Sequence, residues 1–293
     1  MIALVRTEMT KAVRRSRTIV TALALVALPV LIAVAIHSRG DRPRREGGGE
    51  GLFRLARQSG LVVPALVLAV MSGFLLIVVA GMLAGDAVAG DAASGNLRYV
   101  LIRPVSRVRL LLAKAFVSGV LIWLSVALVV AAGLATGTVL FGWHPIHVAT
   151  VIGSAPGGAA SLAPTGVAGA FSVIDISAQT LLVRLLEGAA YVAIGYSALL
   201  GLGTFFSTLT DSPAGAIGAT IGAYIVSEVL DAIPELGRLR YGLPTHYADA
   251  WQTMLTQNTV SHDMFAGVGV QVAYLVVFGA LAAWWFARKD IRS

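Results

Sequence analysis

The chain has 293 residues, of which 57% are hydrophobic and only 13% are charged, and its mean hydropathy is +0.82. These values exclude an ordinary soluble domain and predict an all-α integral membrane protein. The formal charge of +7 does not indicate a nucleic-acid-binding protein. The basic residues cluster at the ends of apolar runs, where they set orientation and contact anionic membrane lipid. Because the chain has no cysteine, disulfides, thiolate nucleophiles and cysteine-ligated metals are excluded.

Residues 1–17 form the first predicted element, an amphipathic helix. Ile2, Val5, Met9 and Val13 recur at spacings of three and four, and basic residues fill many of the remaining positions. This pattern is typical of a helix that lies on a membrane surface.

Six apolar runs then predict six transmembrane helices, which together form a single membrane domain over residues 1–293. The runs cover about 18–36, 61–83, 115–140, 181–208, 214–229 and 265–286. Three loops, 37–59, 141–175 and 231–263, lie on one side of the membrane, and both termini lie on the other side with the charged segment 85–114.

The distribution of Lys and Arg predicts the orientation. Thirteen of these residues lie on the side of the termini and eight on the side of the three loops. Since positive residues favour the cytoplasm, both termini and segment 85–114 are predicted to be cytoplasmic. Loop 37–59 departs from this rule, because it carries six arginines on the external side.

Segment 85–114 lies between the second and third runs and is too charged to lie in hydrocarbon. Residues 86–102 can form a helix, with Asp86 near its positive end and Arg98 and Arg103 near its negative end. Pro104 ends this helix because it lacks the backbone N–H. The segment therefore predicts a helix in water at the membrane face.

The order of residues in this segment resembles a known family. Asp86 and Asp91 are followed by Ser-Gly-Asn-Leu-Arg at 94–98, by Arg-Pro-Val-Ser-Arg at 103–107 and by Lys114. This order is similar to the cytoplasmic loop of type-2 ABC exporter permeases: an acidic residue, Gly-Thr-Leu-Arg, a short apolar run, Pro-Val-Ser-Arg and Gly-Lys. The layout of six runs and the ending Phe-Ala-Arg-Lys-Asp-Ile at 286–291 support the resemblance.

The resemblance implies a fold, a function and partners. Residues 1–17 would be an elbow helix, and segment 85–114 would carry the coupling helix that docks on a separate ATPase subunit. Two permease subunits, identical or related, would assemble with two copies of the ABC ATPase in the bacterial inner membrane. ATP binding would close the ATPases, push the coupling helices and open the route outward. The residues carried over as coupling residues are Asp86, Asp91, Gly95, Leu97, Arg98, Arg103, Pro104 and Arg107.

The chain itself lacks a nucleotide site. A phosphate-binding loop requires a Gly-Lys pair, whereas Lys11, Lys114 and Lys289 follow Thr, Ala and Arg. We therefore expect a transporter subunit rather than an enzyme, with no cofactor in this chain and with ATP and Mg²⁺ on the partner.

Two further patterns lie inside the predicted spans. Arg184 and Glu187 are three residues apart, so they share a helix face and can pair, either at the interface or as a lining of the translocation route. Ala214, Gly218 and Gly222 repeat every four residues and form a stripe that allows close helix contact. The spacing does not distinguish packing within the subunit from packing in a dimer.

Other functions remain open at this point. The main alternative is an ATP-independent secondary transporter or channel, which would show broken helices with ion ligands at mid-membrane. His144 and His147 are a weak metal motif, and Ser197 is a weak candidate for an intramembrane nucleophile. The substrate is not identified, since drugs, lipids, peptides and other amphiphiles fit the apolar spans equally.

Overall fold

The computed structural model describes residues 2–38, 56–57, 59–94, 106–151, 171–252 and 262–289. The α-helices of these residues are α1 (Ile2–Val13), α2 (Ser16–Ser38), α3 (Val63–Ser72), α4 (Leu75–Ala93), α5 (Arg107–Phe141), α6 (Ala178–Gly195), α7 (Ser197–Leu209), α8 (Pro213–Asp231) and α9 (His262–Arg288). Two short strands, β1 (Ile146–Val151) and β2 (Phe171–Ile176), and the 3-10 segments Pro234–Gly242 and Ala250–Gln252 complete the described elements.

Among the described residues, six helical stretches are long and apolar enough to cross a membrane, which confirms the predicted number. They are α2, α4, α5, α6 with α7, α8 and α9. Consecutive apolar stretches of this length indicate a multi-pass membrane protein, because only helices satisfy their own backbone in lipid. α5 has 35 residues, so it is about 50 Å long and extends beyond the hydrocarbon layer.

The second crossing differs from the prediction of one span over 61–83. It consists of α3 and α4, which meet at a break at Gly73 and Phe74. α4 then continues without interruption to Ala93, so Asp86 and Asp91 lie on the last turns of a membrane helix. The helix continues past these carboxylates because cations from α1, α5 and the α1–α2 turn neutralise them.

The region between α5 and α6 contains structure that was not predicted. β1 and β2 pair antiparallel, with Ile146 opposite Ile176 and Val151 opposite Phe171. β-branched residues favour such pairing, and the strands lie outside the membrane-crossing helices.

The centre of the bundle is α7, which packs against α4, α8 and α9, while α5 packs against α2, α3 and α4. Several close approaches require glycine: for example, a Cβ on Gly85 of α4 would lie 2.9 Å from the Ile217 backbone of α8, and one on Gly137 of α5 would lie 2.3 Å from Gly60 O. The outer faces of α2, α8 and α9 expose large apolar side chains such as Leu23, Ile225 and Val276, as expected for lipid-facing surfaces.

Candidate functional site

A cluster of ionic side chains joins α1, α4 and α5 at the end of the bundle where both termini lie. The side chain of Asp91 is 0% exposed and accepts hydrogen bonds from Lys11 Nζ at 2.6 Å, Arg15 Nη2 at 3.1 Å and Lys114 Nζ. Lys114 is only 4% exposed and also donates to Glu8 Oε2 at 2.8 Å. We call Glu8, Lys11, Arg15, Asp86, Asp91 and Lys114 the ion cluster.

Arg15, in the turn between α1 and α2, bridges the two carboxylates of α4. Its Nη1 binds Asp86 Oδ2 while its Nη2 binds Asp91 Oδ1, and Arg17 Nη1 lies 3.7 Å from Asp86 Oδ1. The ion cluster contains equal numbers of acidic and basic side chains. Mutual neutralisation of this kind offsets the high cost of taking single charges out of water.

The ion cluster attaches the amphipathic helix α1 to the bundle. Lys11 and Glu8 of α1 are engaged by protein, whereas Arg6 and Arg14 are exposed. The cluster therefore fixes the N-terminal helix to both helices that flank residues 95–105.

A second set of contacts ties the C-terminal end of α9 to the same end of the bundle. Arg107 Nη1, at the start of α5, donates to Lys289 O at 2.5 Å. Lys289 Nζ donates to Thr208 O at 3.2 Å and to Asp211 Oδ1 at 2.8 Å, which connects it to the α7–α8 turn. The start of α5 and the ends of α7 and α9 are thus held together.

Of the eight predicted coupling residues, the structure brings Asp86, Asp91 and Arg107 to this end. Their side chains bind groups of their own chain, and Asp91 has no exposed surface with which to contact a partner. The remaining five lie outside the described residues: Gly95, Leu97, Arg98, Arg103 and Pro104.

The other predicted residues lie elsewhere. On α6, Arg184 is half-buried and Glu187 is exposed, and neither lines the large cavity described below. On α8, Ala214 and Gly218 are exposed, and a Cβ on Gly218 or Gly222 would meet nothing within 4 Å. The small-residue stripe therefore does not pack against the described part of its own subunit.

A large cavity, which the sequence did not predict, lies at the opposite end of the bundle. It has a volume of about 480 Å³ and lies between α3, α6, α8, α9 and the residues that follow Arg240. Tyr191 Oη donates to Tyr247 O at 2.8 Å, and Tyr196 Oη donates to Ser72 O at 3.1 Å. These bonds fix α6 against the cavity's other walls.

The described residues give no support to a metal site or a hydrolase. No group of three or more His, Asp or Glu side chains among them is placed to hold a metal ion. Ser197 Oγ is buried and has no hydrogen-bond partner in the described part of the chain, so no base activates it there.

Comparison with known proteins gives a family but no activity. A family model described as "Protein of unknown function (DUF2705)" matches residues 56–292. A comparison with curated proteins finds no match. The matched region contains all the helices from α3 to α9, together with residues 95–105, and leaves out α1 and α2. Because the match covers most of its length, the chain belongs to the DUF2705 family of proteins of unknown function.

Proposed function

We propose that this chain is the membrane subunit of an ABC exporter and that a separate polypeptide supplies the ATPase. The observation that carries the proposal is the ion cluster, which lies at both ends of residues 95–105. These residues contain most of the motif that resembles the coupling loop of type-2 permeases. A loop that receives force needs ends that are firmly attached to the helices it moves.

The described contacts provide that attachment. Asp91 lies close to the end of α4 and Lys114 two turns into α5, and the ion pair between them couples the two helices. Lys11 and Arg15 bind the same carboxylate, so α1 moves with them. A push on residues 95–105 would then displace α1, α4 and α5 together, and α4 would transmit it to α7 and α8, which pack on it. In this account α1 is the elbow helix and residues 95–105 complete the coupling helix.

The proposal includes a location and a second permease subunit. The protein would lie in the bacterial inner membrane with both termini and the ion cluster in the cytoplasm. The unpacked stripe at Ala214, Gly218 and Gly222 supports contact with another permease, since small residues let helices approach closely in lipid.

One observation favours the alternative, an ATP-independent secondary transporter or channel. The second crossing is broken at Gly73, and this residue lines the large cavity. Broken helices beside a binding site are typical of secondary transporters. The two functions differ in whether an ATPase is required.

Co-purification from native membranes tests the proposal. The tagged full-length chain should retain an ABC ATPase, identified by mass spectrometry. Arg98→Glu should lose the ATPase because it reverses a charge in the docking segment. Arg238→Glu is the matched control, because Arg238 is exposed at the opposite end of the bundle. The proposal is wrong if the wild-type chain retains no ATPase, or if the Arg98 variant retains as much as the control.

A further inference from the structure

The cavity at the opposite end of the bundle is large enough to hold a small molecule. Its volume of about 480 Å³ lies in the range of pockets that bind drug-sized ligands. Helix α6 and the break at Gly73 form one wall, the last turns of α8 form another, and residues 245–252 lie across it. None of the three predicted coupling residues that the structure describes lines it.

Four tyrosines line this cavity: Tyr191, Tyr196, Tyr224 and Tyr247. The hydroxyls of Tyr191 and Tyr196 donate to backbone carbonyls of other elements, so both rings are held in fixed positions. Aromatic rings carry negative charge on their faces and attract cations, including quaternary ammonium groups. The lining therefore combines apolar area with an attraction for positive charge.

The charged residues of the cavity are mostly acidic. Asp231 is already engaged, because it accepts from Arg240 Nε at 3.3 Å and lies 2.6 Å from His246 Nδ1. Glu228 and Asp249 also line the cavity, and no cation in the described part of the chain forms an ion pair with either. Two carboxylates are thus left without a positive partner.

A buried acceptor adds an independent observation. Gln271 of α9 lines the cavity, is 4% exposed and donates from Nε2 to Pro244 O at 2.5 Å. Its Oε1 is buried and has no hydrogen-bond partner among the described residues. A buried acceptor without a donor is costly, and a ligand that carries an N–H group would satisfy it.

We propose that this cavity binds an organic cation with apolar or aromatic substituents. The tyrosine rings would contact the apolar groups, and Glu228 and Asp249 would neutralise the charge. From a cation that carries an N–H, Gln271 Oε1 would also accept a hydrogen bond. Anions of the same size would be excluded by the two carboxylates. The inference that the cation is exported rests on the proposed function, whereas the inference that it binds in the cavity does not.

Equilibrium binding of tetraphenylphosphonium to the purified full-length chain in detergent tests the proposal. We expect saturable binding, and the double variant Glu228→Gln/Asp249→Asn should weaken it about tenfold, which is about 1.4 kcal/mol. Both side chains are exposed, so these isosteric changes should leave the fold intact, as checked by thermal unfolding. Glu235→Gln is the matched control, since Glu235 is exposed near the same end but does not line the cavity.

Tetraphenylborate, which has a similar size and the opposite charge, completes the test. The proposal is overturned if the wild-type chain does not bind tetraphenylphosphonium, if the double variant binds it as tightly as the control, or if tetraphenylborate binds equally well.

No ATPase is present in this assay, so its result is independent of the proposed export function. Carboxylate-dependent binding by a chain that retains no ATPase would support the cation site while rejecting the exporter. An ATPase partner without such binding would reject the cation site alone.

Discussion

Replacing Asp91 by Asn should be the most destabilising single change in the ion cluster. The substitution keeps the shape of the side chain but removes the charge that faces three cations. Lys11 and Arg15 are 34% and 35% exposed and can turn towards water, so they contribute little to the cost. Lys114 is 4% exposed, so its charged group cannot turn towards water.

The expected cost follows from this buried lysine. Removing one partner of a buried ion pair typically costs about 3–5 kcal/mol. Glu8 Oε2 remains 2.8 Å from Lys114 Nζ, so we expect a value near the lower end, about 3 kcal/mol. Asp211→Asn is the control, because the Asp211 side chain is 72% exposed and its pair with Lys289 should contribute less than about 1 kcal/mol.

The free energy of unfolding in mixed detergent micelles, measured by titration with dodecyl sulfate, provides the assay. A double-mutant cycle with Lys114→Met isolates the pair. Lys114→Met should cost less than Asp91→Asn, because Lys11 and Arg15 still neutralise Asp91. The double variant should cost at least about 1 kcal/mol less than the sum of the two single changes. The claim that the ion cluster stabilises the fold would be refuted if Asp91→Asn cost no more than the Asp211 control, or if the effects of the two single changes were strictly additive.

Three further predictions concern packing, assembly and topology. Gly85→Ala should destabilise the fold by about 1–3 kcal/mol, because the added Cβ would lie 2.9 Å from the Ile217 backbone. Gly218→Ala is the control: its Cβ would meet nothing within 4 Å, so stability should change by less than about 0.5 kcal/mol. Equal unfolding curves for the two variants would contradict this prediction. Gly218→Leu should leave the subunit folded but lower the fraction of permease dimer seen by single-molecule mass measurement, and an unchanged dimer fraction would remove the stripe from the interface. The chain has no cysteine, so a single introduced cysteine can be labelled specifically. In intact cells, Leu239→Cys should react with a membrane-impermeant maleimide and Ser106→Cys should not; the reverse pattern would invert the topology.

The number of crossings could be predicted from the sequence, because lipid admits only segments that satisfy their backbone internally and these are long apolar runs. The end of the second crossing could not. Asp86 and Asp91 lie on α4 itself and not on a separate helix after the span, and Lys11 and Arg15 neutralise both carboxylates there. These partners are separated from Asp86 and Asp91 by more than 70 positions, and no local pattern connects them. The break at Gly73 and Phe74 did have a local signal, the Ser72-Gly73 pair, because helix kinks often lie at Gly/Ser pairs.

The candidate site could be predicted only in part, because its contacts also join residues that are far apart in the sequence. The motif at 85–114 identified Asp86, Asp91 and Arg107, but not that all three bind their own chain. The sequence did contain a usable signal: Glu8 is the one acidic residue among the five basic ones of residues 1–17, and Asp86 and Asp91 interrupt an apolar stretch. The large cavity gave no such signal, because its tyrosines and carboxylates come from α6, the α6–α7 junction, α8 and the turn residues 244–249. The charged pair chosen from spacing, Arg184 and Glu187, lies outside it.

The central claim is that a separate ATPase acts on the membrane helices through residues 95–105. The most direct measurement is the rate of ATP hydrolysis by the co-purified ATPase in proteoliposomes, with and without this chain. We expect the wild-type chain and the Arg238→Glu control to change that rate severalfold, and Arg98→Glu to leave it at the value of the ATPase alone. An ATPase whose rate does not respond to the wild-type chain, or responds equally to the Arg98 variant, would contradict the account.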